Sequence, residues 1–233
     1  MHTTTGAADA AALSSNMANL RDAHALLHAL TPVGVVAYKP VNSHGGCKDG
    51  YGAARDQPCD GEAHVFDFVA ALGIPLFPTH IYPSGAPPTA AFFSIHSLKD
   101  PNLPALLEHA QSTAVEMLVT DGLLKRLPSR LAALLRADTH VHILNVSNNP
   151  KALLASPPAD RIATRDALLR RIGLSLVAPS AWVALYPFAD ATGAPTKWAL
   201  MNLADKPINA AVTILNGKAW NGTVEGRGWV VSV

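Results

Sequence analysis

Between Val33 and Ile172 the chain alternates strand-length apolar runs with stretches of helical period, and this alternation restricts its fold more than any other feature. Val33 to Tyr38 is a continuous apolar run following Pro32, as in a strand buried on both faces. Ile74 to Thr79, Thr89 to Ile95, Val115 to Val119 and His140 to Val146 read as four further strands. Helices are expected over Val65 to Leu72, stopping at Gly73 as at a C-cap, over Leu103 to Ser112, and over about Gly122 to Arg136, with Pro128 interrupting the last. An amphipathic helix from Asn19 to Leu30 precedes the series and is ended by Thr31-Pro32; another, from Ala159 to Ile172, closes it. Such alternation predicts a parallel sheet with right-handed crossovers, hence a doubly wound, Rossmann-like α/β layer.

From Leu174 the pattern changes. Ser175–Ala178, Val183–Phe188, Trp198–Asn202, Ala210–Leu215 and Gly228–Val233 are short apolar segments separated by turn residues, including Asn216-Gly217, a hairpin signal. A small antiparallel β domain is expected, so the chain divides into a flexible terminus at 1–19, an α/β domain at 20–173 and a β domain at 174–233. The last holds all four tryptophans, Trp182, Trp198, Trp220 and Trp229. Core filling suits most of them in so small a unit, leaving one or two for stacking on a sugar or a partner.

With 233 residues, 49% of them hydrophobic and 15% charged, the chain can bury a real core. Its net charge of +1 lacks the basic clustering that nucleic acid demands, so no nucleic-acid partner is expected. No apolar run reaches the roughly 18 to 20 residues of a membrane span, so no membrane partner is expected either and the protein should be soluble. Met1 to Asn19 shows no basic start or apolar centre of a signal peptide. Cys47 and Cys59, the two cysteines, could form a disulfide closing a small Gly-rich loop, worth about 3 kcal/mol and suited to an extracytoplasmic compartment, or could be free thiols. Localisation stays open between these clues.

In open parallel sheets, ligands bind outside the carboxyl ends of the strands, and polar residues are concentrated there. Lys39, Asn42 and Ser43 follow the first strand, His80 the second, His96 and Ser97 the third, and Asp121 the fourth. This set offers an anion site or general acid–base chemistry, although strand ends are polar in any protein. Neither a Gly-x-Ser-x-Gly elbow nor a Gly-rich phosphate loop is present, so no cofactor is expected. The loop with His44, Asp49, Asp56, Asp60, Glu62 and His64 holds metal-ligand residue types at no recognised zinc spacing, and no metal is assigned to it.

Val35-Val36-Ala37-Tyr38-Lys39-Pro40-Val41-Asn42-Ser43, Val65-Phe66-Asp67-Phe68 with Leu72-Gly73-Ile74-Pro75-Leu76, and Val119-Thr120-Asp121-Gly122-Leu123-Leu124 resemble class I glutamine amidotransferase-like domains of carbohydrate-associated bacterial proteins. A similar domain beside a small β domain serves as the trimerisation module of one β-galactosidase family. The resemblance covers roughly residues 20 to 233 and implies a flavodoxin- or amidotransferase-like sheet, a carbohydrate, other small molecule or partner subunit as ligand, and possible homo-oligomers. It also makes the chain look like the carboxyl-terminal part of a longer ancestor whose catalytic barrel is absent. Lys39, Asn42, Ser43 and Asp67 match its recurrent positions and are carried over as binding residues.

The resembling amidotransferases carry a nucleophilic Cys in a tight strand-to-helix turn, where this chain offers Ser97 and Asp121; glutaminase activity is therefore not expected. Two functions remain open. One is a carbohydrate-associated binding module. The other is a stand-alone hydrolase of glycosides, esters or phosphoesters using His80, His96, Ser97 and Asp121, with Lys39 as electrostatic stabiliser.

Overall fold

The computed structural model describes residues 17–18, 20–41, 62, 64–83, 88–146, 149–214, 217 and 219–232. Residues 20–27 form α1. β1 (Thr31–Pro32) and β2 (Val35–Tyr38) follow, then α2 (Val65–Ala70), β3 (Leu76–Thr79) and β4 (Ala90–Phe93). A 3-10 turn (Ile95–Lys99) leads to α3 (Leu103–Ser112), β5 (Glu116–Thr120), α4 (Asp121–Leu124), α5 (Ser129–Ala137) and β6 (Val141–Leu144). A second 3-10 turn (Pro150–Ala155) precedes α6 (Pro158–Arg171). β7 (Leu174–Val177), β8 (Val183–Ala189), β9 (Pro195–Asn202), β10 (Ile208–Ile214), β11 (Ala219–Val224) and β12 (Trp229–Val231) complete the chain.

The five central strands form one parallel sheet in the order β3-β2-β4-β5-β6. The continuous apolar runs are explained by helices on both faces. On one face, Leu103, Leu107 and Ala110 of α3 and Leu131, Ala132 and Leu135 of α5 pack on Ala91, Phe93, Met117 and Val119. On the other, Val65 and Val69 of α2 and Leu168 of α6 pack on Val35, Ala37, Phe92 and Leu118. Successive strand residues point to opposite faces, so adjacent residues such as Phe92 and Phe93 serve different cores. The protein is thus a mixed α/β fold, a parallel sheet with helices accompanied by antiparallel sheets.

Those antiparallel sheets are β1-β8-β9-β12 and β11-β10-β7, and they share a third core built on Leu174, Leu176, Leu185, Trp198, Leu200 and Val212. Trp198 is buried and meets Trp220 edge to face, with ring centroids 5.2 Å apart. Asn202, also buried, knots the turns together: its Nδ2 donates to the carbonyls of Lys206, Val224 and Glu225, and its Oδ1 accepts from the Ala204 amide.

α6 joins the two units, since Leu168 belongs to the parallel-sheet core and the adjacent Leu169 to the antiparallel one. Beside them Arg165 is fully buried and donates from Nη1 to the carbonyls of Ser180 and Val183. Gly73 makes this junction possible. Its φ of +84° suits glycine, and a Cβ there would collide with the Val183 carbonyl oxygen.

Several elements differ from the sequence expectation. Thr31-Pro32, expected only to end a helix, is a two-residue strand paired with Phe188 and Ala189 of β8. The third strand ends at Phe93 rather than Ile95, because Ser94 caps a 3-10 turn: its side chain accepts from the His96 amide. Pro128 does more than interrupt a helix; α4 ends at Leu124 and α5 starts afresh at Ser129. No strand is expected from the sequence between Leu215 and Gly228, where the structure has β11. Here Gly222 sits under the Trp220 ring, where a Cβ would meet Cζ2, so the glycine provides clearance within a strand. The flexible terminus expected at 1–19 lies outside the described residues apart from 17 and 18. Among the described residues no helix is long and apolar enough to cross a membrane.

Candidate functional site

In the order β3-β2-β4-β5-β6 the chain leaves β2 toward β3 on one side and returns to β4 on the other. The connections therefore diverge at the carboxyl ends of β2 and β4, the place where a crevice opens in sheets of this kind. Lys39 stands directly after β2, and the 3-10 turn carrying His96 and Ser97 stands directly after β4. Glu62 and Phe66 reach the same edge from before and within α2, and Thr120, Asp121 and Gly122 from the β5–α4 turn.

At the centre lies Glu62, whose side chain is completely buried. Its Oε2 accepts from the Ile95 amide at 2.9 Å and from the Thr120 hydroxyl at 3.0 Å. Thr120 Oγ1 also accepts from the Leu123 amide and so caps α4. Oε1 of Glu62 is buried with no hydrogen-bond partner among the described residues and lies against Gly122. Burial raises the Glu62 carboxyl above the usual range, the Asp121 carboxylate adds to the shift, and the hydrogen bonds from Ile95 and Thr120 oppose it.

Around this carboxyl, His96 is buried with Nε2 3.3 Å from the Glu62 carbonyl oxygen, and its ring lies 5.9 Å from that of Phe66. The Lys39 ammonium stands 5.3 Å from the centroid of the same Phe66 ring, a cation–π distance. Desolvation lowers the Lys39 pKa from the usual lysine value, and the Asp67 carboxylate opposes the shift. Asp67 itself is exposed and within hydrogen-bond distance of His64 Nδ1 at 3.2 Å. Lys39, Phe66, His96, Glu62 and Asp121 thus form one chain of contacts or electrostatic couplings along the sheet edge.

The remaining expected residues occupy different positions in this arrangement. His80 is exposed and placed by Nδ1 at 2.7 Å from the Lys39 carbonyl oxygen. Ser97 is completely buried; its hydroxyl donates to the Tyr38 carbonyl at 3.1 Å and accepts from the Ser94 amide at 3.4 Å. That pairing ties the end of β4 to the end of β2. Asp121 accepts from Lys125 through Oδ2 and from the Val146 amide through Oδ1, linking the ends of β5 and β6. Asn42, Ser43, Cys47 and Cys59 lie outside the described residues, as do His44, Asp49, Asp56 and Asp60.

Of the loop residues considered as metal ligands, Glu62 points into the protein and His64 toward Asp67. No group of three or more His, Cys, Asp or Glu residues suited to a metal is found among the described residues. No family model, curated protein or solved structure matches the chain.

Glu62 and Phe66 were absent from the set expected from the sequence. Glu62 stood in a polar loop with five other potential ligands, where nothing in the spacing marks one carboxylate as the inward-pointing one. Gly122 was the available signal: a glycine between a strand-end Thr-Asp pair and Leu-Leu at the start of a helix marks a close approach. At the opposite, amino edge of the sheet His140 and His142 both bond Glu116, with Arg171 also paired to that carboxylate.

Proposed function

We propose that the chain is a carbohydrate-associated module of amidotransferase-like, Rossmann-like architecture that lacks glutaminase activity and binds a sugar or a partner subunit at the carboxyl edge of its parallel sheet. Support for the architecture comes from the strand order, which is that of doubly wound flavodoxin-like sheets, and from the antiparallel unit joined to it. The carbohydrate assignment rests on the resemblance of the segments around Lys39, Phe66 and Asp121. An aromatic face flanked by a lysine and a histidine at the crevice suits a polar ligand held by a few convergent groups.

One observation favours binding over hydrolysis: the Ser97 hydroxyl donates to the Tyr38 carbonyl from a fully buried position. A serine nucleophile instead needs its proton directed at a base and its oxygen open to substrate. Asp121 is likewise engaged with Lys125 and Val146. The hydrolase alternative keeps Lys39 and His96 but has no activated nucleophile in Ser97.

A panel of chromogenic glycosides, esters and phosphoesters tests this choice. No turnover above that of His96→Ala supports the binding module, whereas turnover abolished by His96→Ala establishes the hydrolase. A partner-subunit role further implies self-association, which light scattering would report as a mass above that of one 24.4 kDa chain.

A further inference from the structure

Among the described residues the three sheets leave six strands at an edge, and five of them are short or blunted. β1 has two residues, one of them Pro32, and β12 has three. β3 has four, including Pro78, which has no N–H to offer a neighbouring strand, and β6 and β7 also have four each. β11 differs: it runs for six residues, Ala219–Val224, with neither a proline nor a charged side chain. Shortness, proline and charge are the usual devices that keep a strand edge from pairing with another chain, and β11 has none of them.

Its backbone is open to such pairing. In an antiparallel pair the partner strand takes the N–H and C=O of alternate residues only, so β10 satisfies half of β11 and the other half points away from it. Among the described residues, the one group outside β10 that bonds the β11 backbone is Asn202 Nδ2, at the Val224 carbonyl. Ala219, Asn221 and Thr223 are exposed, and Trp220 and Gly222 are half-buried. The outer face of the sheet beside this edge is uncharged as well. Asn221, Ala211 and Val177 lie in one cross-strand row and Ala219, Thr213 and Ser175 in another, with Val177 68% exposed.

We propose that β11 is an interaction surface for a second copy of this chain, the two β11 strands pairing antiparallel across a two-fold axis and joining two three-stranded sheets into one of six strands. A two-fold axis makes identical strands antiparallel, so each copy supplies both donors and acceptors. Any charge near the axis would meet its own image there, and β11 and both rows beside it carry none. One strand pair buries less than the roughly 800 Å² per partner of a standard interface, so the dimer is reversible and forms in the micromolar range. This surface shares no residue with the crevice of the parallel sheet, so its failure would leave sugar binding there to its own test.

The test is sedimentation equilibrium of the full chain over a concentration series, with hydrogen exchange measured at the two ends of the series. A mass rising toward twice the 24.4 kDa of one chain is expected, together with slower exchange of the Ala219–Thr223 amides in the concentrated sample. The double variant Ala219→Lys with Asn221→Lys, both at exposed outer-face positions, is expected to raise the dissociation constant about tenfold or more. Ser175→Lys, which puts the same charge on the same face at the opposite edge strand β7, is expected to leave it unchanged. The proposal is overturned if the chain stays at one-chain mass up to about 0.5 mM, far above the micromolar range. It is equally overturned if a dimer forms without slowing exchange at Ala219–Thr223, or if the double lysine variant associates undiminished.

Discussion

The Glu62 carboxylate can reach the first turn of α4 because residue 122 has no side chain: a Cβ on Gly122 would overlap Glu62 Oε1. Through this fit a residue from before α2 holds the ends of β4 and β5 together by way of the Ile95 amide and the Thr120 hydroxyl. Gly122→Ala is therefore expected to destabilise the protein by about 1–3 kcal/mol, the usual cost of overpacking a filled interior. Chemical denaturation of the variant, and of Gly122→Ala combined with Glu62→Ala, checks it. The second change should recover part of the loss if the clash is with Glu62.

Glu62 also predicts a pH dependence. Its folded-state pKa is raised, chiefly by burial, so the folded protein binds this proton more tightly than the unfolded chain does. Its favourable contribution is complete below the unfolded glutamate pKa of about 4.3 and is lost as pH rises through the folded value. Glu62→Gln, which is neutral throughout, should gain stability relative to the wild type over that rising window and then hold a constant advantage. Thermal melts of both proteins from acid to neutral pH would show this as diverging and then parallel midpoints. Identical pH profiles would remove the carboxyl from the account.

Ser97 is expected to behave as a structural pin. Ser97→Ala should cost about 1 kcal/mol through the lost bond to the Tyr38 carbonyl, measurable by denaturant unfolding, and should leave sugar binding intact.

Asn202 is the corresponding test for the antiparallel unit. Asn202→Ala strands the carbonyls of Lys206, Val224 and Glu225 and the Ala204 amide, and should cost about 1–3 kcal/mol or more in a denaturant titration. A change within a few tenths of a kcal/mol would show that water replaces it.

The parallel sheet was legible in the sequence because its central strands β2, β4 and β5 are buried on both faces and so appear as unbroken apolar runs, as at Val35–Tyr38 and Ala90–Phe93. β1 and β11 were not legible. The first is two residues long and exists only through pairing with β8, while the second contains an Asn-Gly whose glycine serves the Trp220 ring instead of a turn. Topology explains why Lys39, His96 and Asp121 could be placed at one edge from sequence order alone. Their individual roles depend on side-chain direction, which local pattern does not carry: Ser97 turns back to the Tyr38 carbonyl, and Glu62 turns inward from a polar loop. The same holds for Arg161, buried in α6 although an arginine in an amphipathic helix normally reads as solvent-facing.

The proposal that this protein binds a sugar, rather than a partner subunit, at the carboxyl ends of β2 and β4 without cleaving it is tested most directly by saturation-transfer NMR. Neutral mono- and disaccharides would be screened against the wild type and Lys39→Ala, with each ligand followed for turnover in the same samples. A saturable signal from an intact sugar, lost or at least about tenfold weakened in Lys39→Ala, is the predicted result. No sugar signal, a signal undiminished in Lys39→Ala, or accumulation of cleavage products in the wild-type sample would contradict it.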